Sequence, residues 1–265
     1  MELVAKISKG SVMDQIYIPK NRPGLSTGSY VLIKPLETKQ QPITYHFHHV
    51  SALEPLKRQL MDQLIVIIDK FAPNYDNLVF TGSFLEPGFS FNDIDILLIT
   101  DHKVPIAPLK HQVFHDLHIR LDLLILDSKT LLHGLATDPL YHMMLSKCVA
   151  KKRFLYHAKR EINYKLLDLH ILQSKSLLLN FDALAGNQKY ALTRNMLAIQ
   201  LFLQSKKITK EQVDKSICTL FHLKTVQQLK DNLLDKKTFL ITYKKIYSRL
   251  FKTILRGMQH CSQQK

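Results

Sequence analysis

Cysteine is scarce, with three residues in a chain of 265, and Cys148, Cys218 and Cys261 stand far apart. An odd, scattered set gives neither a disulfide framework nor a cluster of thiolate metal ligands, which points to a reducing, cytoplasmic setting. Long apolar runs are missing too. No stretch reaches the roughly 18 apolar residues that a spanning helix needs, and the opening MELVAKISKG has no apolar signal core, so no membrane partner is expected. Low-complexity tracts and internal repeats are also absent. With 46% hydrophobic and 22% charged residues, the chain can bury the cores of two modest domains. Histidines are plentiful but carry no metal pattern. His46, His48 and His49 lie close together and His111 and His115 are one helical turn apart, yet no His-Glu-x-x-His run or nearby cysteine accompanies them. They read as surface histidines.

What is present is charge, unevenly placed. Residues 1–150 hold 14 Lys and Arg against 15 Asp and Glu, a net of −1, whereas residues 151–265 hold 23 against 7, a net of +16. Such asymmetry describes either a polyanion-binding surface beside a neutral domain or a solvated, lysine-rich helical exterior.

Residues 2–8, 14–19 and 29–36 read as short strands rich in Val, Ile and Tyr. LEPLKRQLMDQLIVIIDKF (53–71) has Leu56, Leu60, Leu64, Ile67 and Ile68 at helical spacing, with Pro55 suited to a first turn. A strand NLVFTG follows, then a strand after residue 92, a proline-punctuated segment 103–116, a strand over 117–126, a helix around 137–149 and a short strand RFLYH. From Glu161 onward every segment shows apolar residues three or four apart, the pattern of helices. The expected class is α+β: a small β module (1–40), a mixed β-sheet with helices (51–157) and a basic helical bundle (158–265).

The chemistry concentrates in TGSFLEPGFSFNDIDILLIT, residues 81–100. Ile96-Leu97-Leu98-Ile99 has no polar alternation, as in a strand covered on both faces. Side chains two apart on a strand share a face, so Asp93 and Asp95 project together. Asp122, in the apolar run RLDLLIL, has a matching context. If the two strands are neighbours, three aspartates meet at one end of the sheet, a hard-oxygen set suited to Mg²⁺ or Mn²⁺. Two such ions about 3.5–4 Å apart can activate an attacking oxygen and stabilise a leaving phosphate oxygen. Gly82 permits close backbone approach, and Ser83 offers a hydroxyl and an amide to a phosphate.

Gly82-Ser83, nine intervening residues, then Asp93-Ile94-Asp95 and an apolar strand resemble the signature of the DNA polymerase β-type nucleotidyltransferase superfamily, particularly its small prokaryotic-type members. The resemblance spans roughly residues 51–157. It implies that Asp93 and Asp95 hold two metal ions, and that Asp122 helps bind the catalytic one and activate the acceptor. It also implies that Gly82, Ser83 and Asn92 contact a nucleoside triphosphate. The implied reaction moves NMP from an NTP to an acceptor hydroxyl and releases pyrophosphate. Two departures stand out. Phe84-Leu85-Glu86-Pro87 occupies the place of an arginine common in small members, and Asn92 replaces a serine.

The first forty residues resemble AbrB-type swapped-hairpin domains through Ile-Pro-Lys, a following Arg and Gly-Ser-Tyr-Val. This resemblance implies a homodimer and DNA contacts through Lys20 and Arg22. A small β element that only packs or oligomerises remains the other reading. In the bundle, Lys206, Lys207, Lys210, Lys236, Lys237, Lys244 and Lys245 are candidates for binding nucleic acid, with an RNA end as the favoured acceptor. Tyr243, Tyr247 and Phe251 either stack on bases or fill a helix core. Arg194 is either a phosphate contact or a surface arginine. Protein or small-molecule acceptors stay open. So does a different class, a DNA-binding regulator or antitoxin-like partner whose transferase domain is a scaffold.

Overall fold

The computed structural model describes residues 7–18, 20, 43–153 and 158–263. The chain divides into two compact units, Met1–Pro42 and Ile43–Lys265. In the first unit, strands β1 (Ile7–Ser8) and β2 (Gln15–Ile16) pair antiparallel, with Ile7 opposite Ile16. Residues 2–6 and 19 of the strands expected at 2–8 and 14–19 lie outside the described residues. The strand expected at 29–36 lies outside the described residues.

The second unit is built on a five-stranded sheet of order β3-β7-β4-β5-β6. Its strands are β3 (His46–His48), β4 (Asn77–Thr81), β5 (Asp93–Ile99), β6 (Arg120–Leu126) and β7 (Cys148–Ala150). All neighbours run antiparallel except β5 and β6, which are parallel and place Asp95 beside Asp122. The sheet is therefore mixed, as expected. β3 was not anticipated; the histidine cluster forms an edge strand pairing with β7 and starting ahead of residue 51.

The two faces of β5 meet different partners, because the strand alternates them. Ile94, Ile96 and Leu98 join Leu78 and Phe80 beneath α1 (Pro55–Phe71) and α2 (Ile106–Leu117). Helix α1 buries Met61, Leu64, Ile65 and Ile68, an i, i+3, i+4, i+7 stripe. Leu97 and Ile99 face the other way, toward Leu131 and Leu135 of α3 (Ser128–Thr137). Asp93 and Asp95 share that second face.

Over this stretch one expectation is corrected, one segment gains an element, and one lies mostly outside the described residues. The proline-punctuated segment 103–116, to which the sequence pattern assigned no element, holds α2 from Ile106, and Pro108 lies in its first turn, where the missing N–H removes no helical bond. The helix placed around 137–149 is two helices and a strand. Asp138 ends α3 and caps α4 (Pro139–Leu145) by accepting from the Leu140 amide at 2.8 Å, and the chain then extends into β7. Residues 154–157 of the expected RFLYH strand lie outside the described residues.

Helices α5 (Tyr164–Leu179), α6 (Gly186–Leu203), α7 (Lys210–Phe221), α8 (Val226–Lys230) and α9 (Lys236–Gln263) complete the unit. Their shared core includes Leu167, Ile171, Met196, Tyr243 and Leu250, and Met143 of α4 belongs to it. Sheet and bundle are thus joined through α4, which brings the carboxylate face of β5 toward the bundle.

Candidate active site

At the end of β4 the chain turns sharply. Gly82 has φ +77° and ψ −158°, a region that residues with a Cβ scarcely enter. The turn presses it against Asp95: a Cβ built there would lie 2.7 Å from the Asp95 Cγ, with the nearer carboxylate oxygen closer still. Glycine is required both by the backbone angle and by the neighbouring side chain. A single 3-10 turn, Ser83–Leu85, then leads into the loop before β5.

That loop is pinned from below by a buried cation. Lys57 of α1 has no solvent exposure; its Nζ donates to the Glu86 carbonyl at 2.5 Å and pairs with Glu54 at 3.1 Å. The rings of Phe84, Phe89 and Phe91 surround it, with centroids 5.4–5.8 Å away. Glu54 in turn accepts from the Gly88 amide at 2.7 Å. This bond from Gly88, helped by its own amide and Lys57, holds the Glu54 carboxyl down to about 2.

A cavity of about 440 Å³ opens above the loop. Its sheet side presents Gly82, Ser83, Asp95 and Asp122, and its far side presents Lys147, Tyr190, Arg194, Lys210 and Lys230. The Asp95 carboxyl is pushed up to about 6, first by burial, then by the charges of Asp93 and Asp122, against a smaller opposing pull from Arg194. Removed from much of its water and facing two like charges, it is a group whose ionisation a cation would favour.

Asp95 and Asp122 line the cavity and Asp93 is not among its lining residues; carboxylates are hard oxygen donors, a chemistry that fits Mg²⁺ or Mn²⁺, and the glycine cradle fixes Asp95. Among the described residues, however, no three His, Cys, Asp or Glu side chains are gathered into a ready-made metal group. The fit is one of charge and donor type, with the ligand shell not closed.

The cations opposite are held in defined ways. Arg194 donates twice to Asn195 Oδ1, at 3.1 and 3.2 Å. Lys230 Nζ lies 4.6 Å from the centre of the Tyr190 ring, and the Tyr190 hydroxyl donates to Asp214 at 2.7 Å. Lys147 and Lys210 both pair with Glu86, Lys147 at 2.9 Å. Burial pushes the Glu86 carboxyl up, but hydrogen bonds and charge from Lys210 and Lys147 more than reverse this and leave it below its ordinary value.

Other candidates sit apart. Asn92 is exposed and does not line the cavity. Lys206 lines a groove between α6 and α7, while Lys207 joins Lys210 at a neighbouring cavity. Lys236, Lys237, Lys244 and Lys245 are exposed on α9, Lys236 paired with Asp182 at 2.5 Å. Tyr243 and Tyr247 are buried in the bundle core and fill it rather than offer a ring to bases, and Phe251, partly buried, packs against it. The Tyr243 hydroxyl donates to the Ser174 carbonyl at 2.9 Å. Lys20 is exposed in the first unit, and Arg22 lies outside the described residues.

Sequence reasoning missed Glu86, Lys147, Tyr190 and Lys230. Only Lys147 left a signal, as a lone charge between the apolar runs Met143-Met144-Leu145 and Cys148-Val149-Ala150. Comparison with protein-family models, with curated proteins and with solved structures gives no match to this chain.

Proposed function

We propose that the chain is a metal-dependent nucleotidyltransferase, moving NMP from an NTP to an acceptor hydroxyl with release of pyrophosphate. The observation that carries this reading is the polarity of one cavity: aspartates Asp95 and Asp122 on the sheet side, and Lys147, Arg194, Lys210 and Lys230 on the bundle side. Two classes of anion handling are thereby separated across a single space.

Asp93, Asp95 and Asp122 would hold Mg²⁺ or Mn²⁺, which when bound supplies charge neutralisation at the transferred phosphate and a more acidic acceptor hydroxyl. The cradle at Gly82 keeps Asp95 oriented, and the turn at Ser83 offers hydroxyl and amide donors to phosphate oxygens. The four cations opposite bind the remaining phosphates and favour departure of the negatively charged leaving group. Positioning and electrostatics are what in-line phosphoryl chemistry asks of a protein. Asp122, paired in register with Asp95 on the edge strand β6 and exposed to solvent, faces the side from which an acceptor hydroxyl would arrive.

The acceptor we propose is a nucleic-acid end, supported by the net +16 of residues 151–265. Incubation with each α-labelled NTP, Mg²⁺ or Mn²⁺, and total RNA tests both parts. Label in RNA supports the full reading; label on protein or a small molecule keeps the transfer and changes the acceptor. Absence of label from every fraction rejects the activity.

A further inference from the structure

Two lysines from separate elements reach one carboxylate. Lys147 Nζ, between α4 and β7, donates to Glu86 Oε2 at 2.9 Å, and Lys210 Nζ, at the start of α7, donates to Oε1. Together with Ser146 these residues form the wall shared by the active-site cavity and a second cavity of about 290 Å³. The Glu86 backbone is anchored separately: its amide donates to the Ser83 carbonyl at 3.0 Å, and its own carbonyl accepts from buried Lys57. Its side chain can therefore leave the lysines without the loop moving.

The charge balance of the cavity makes such a departure favourable when a polyanion enters. Once cations neutralise Asp95 and Asp122, Glu86 is the remaining anion of the lining, against Lys147, Arg194, Lys210 and Lys230. A triphosphate brings several charges and many acceptor oxygens, and a single carboxylate cannot match them for two ammonium groups.

We propose that Glu86 is a displaceable counter-ion that holds Lys147 and Lys210 in place of a polyphosphate. An entering triphosphate takes both lysines from it, freeing the carboxylate and opening the wall between the two cavities. The inference rests on the nucleotidyl-transfer reading and adds a specificity device to it. A ligand with one phosphate brings less charge and fewer oxygens against the same competitor than a triphosphate does, so Glu86 weights the site toward the longer polyphosphate.

The test is calorimetric titration of the full chain, with Mg²⁺, using inorganic tripolyphosphate and inorganic phosphate as probes. Removing the competitor raises the fraction of binding-competent lysines, so Glu86→Gln is expected to tighten tripolyphosphate binding by about tenfold. The same substitution in a Lys147→Gln/Lys210→Gln background is expected to change nothing. Glu86→Asp, which keeps the charge but draws it back from the lysines, serves if Glu86→Gln fails to fold, and should tighten binding less. Folded variants that bind tripolyphosphate as wild type does, or more weakly, overturn the counter-ion role while leaving the transfer reading intact. If neither wild type nor variant binds tripolyphosphate, both readings fall. If the variant binds more tightly but α-label never reaches an acceptor, the counter-ion role stands and the transfer reading falls.

Discussion

At the scale of single residues, Asp95 and Gly82 are the most constrained positions of the site. Burial, Asp93 and Asp122 raise the Asp95 carboxyl from its ordinary 3.8 to about 6, with Arg194 opposing. Between those values the folded chain keeps a proton that the unfolded chain has lost, so metal-free stability falls as pH rises through that window. The carboxylate is only partly buried, and solvent screening holds the effect to about 1 kcal/mol. Asp95→Asn is accordingly expected to remove most of this pH dependence in chelator, to melt slightly higher than wild type at neutral pH, and to lose all transfer. A variant that melts lower at neutral pH, with the pH dependence unchanged, contradicts the like-charge account. Gly82→Ala must strain its backbone and displace the carboxylate, at a cost of about 1–3 kcal/mol. Thermal melts with and without Mg²⁺ should show both a lower melting temperature and a lost metal response. The aspartates were legible in sequence, because period-two spacing beside an apolar run specifies a shared strand face. Glu86, Tyr190 and Lys230 were not. Each joins the cavity from a separate element, and nothing local distinguishes them from surface residues.

At the scale of elements, the loop between β4 and β5 keeps its shape through α1 rather than through its own sequence. Lys57 satisfies the Glu86 carbonyl and the Glu54 carboxylate, and its ammonium lies among three phenylalanine rings. Lys57→Met retains the stem but leaves a partly buried carbonyl without its donor, costing about 1–3 kcal/mol. Urea unfolding should show that loss, and hydrogen exchange should speed up at Gly88, whose amide relies on the same glutamate. Unchanged exchange there would mean that the loop does not depend on the lysine. Helix α2 shows what local rules leave open. Pro105 and Pro108 look like loop punctuation, yet a proline in the first turn of a helix removes no bond the helix would have made. The division at Asp138 was obscured for the opposite reason, since one aspartate ends one helix and starts the next. Edge strand β3, three residues long and rich in histidine, has too little alternation to be read before its partner β7 is known.

At the scale of the whole molecule, the charge split and the two-unit division carry the remaining expectations. Lys237, Lys244 and Lys245 are exposed on α9. If they bind a single-stranded polyanion, each phosphate neutralised contributes about −0.7 to the slope of log affinity against log salt. The triple reversal of these lysines to glutamate in the full chain should weaken RNA binding and flatten that slope together; an unchanged slope would leave them as solubilising charge. Removal of residues 1–40 is expected to lower the oligomeric order seen by light scattering while preserving nucleotide binding, and an unchanged mass would remove the swapped-hairpin homodimer. The central claim is transfer of a nucleotidyl group at the Asp95–Asp122 end of the sheet. The most direct measurement supplies the full chain with the same NTP labelled at either the α- or the γ-phosphate, in Mg²⁺ or Mn²⁺ with total RNA, beside Asp95→Asn. The account predicts that α-label joins an acceptor, that γ-label leaves as pyrophosphate, and that the variant does neither. Transfer of γ-label to an acceptor, or full α-transfer by Asp95→Asn, would contradict it.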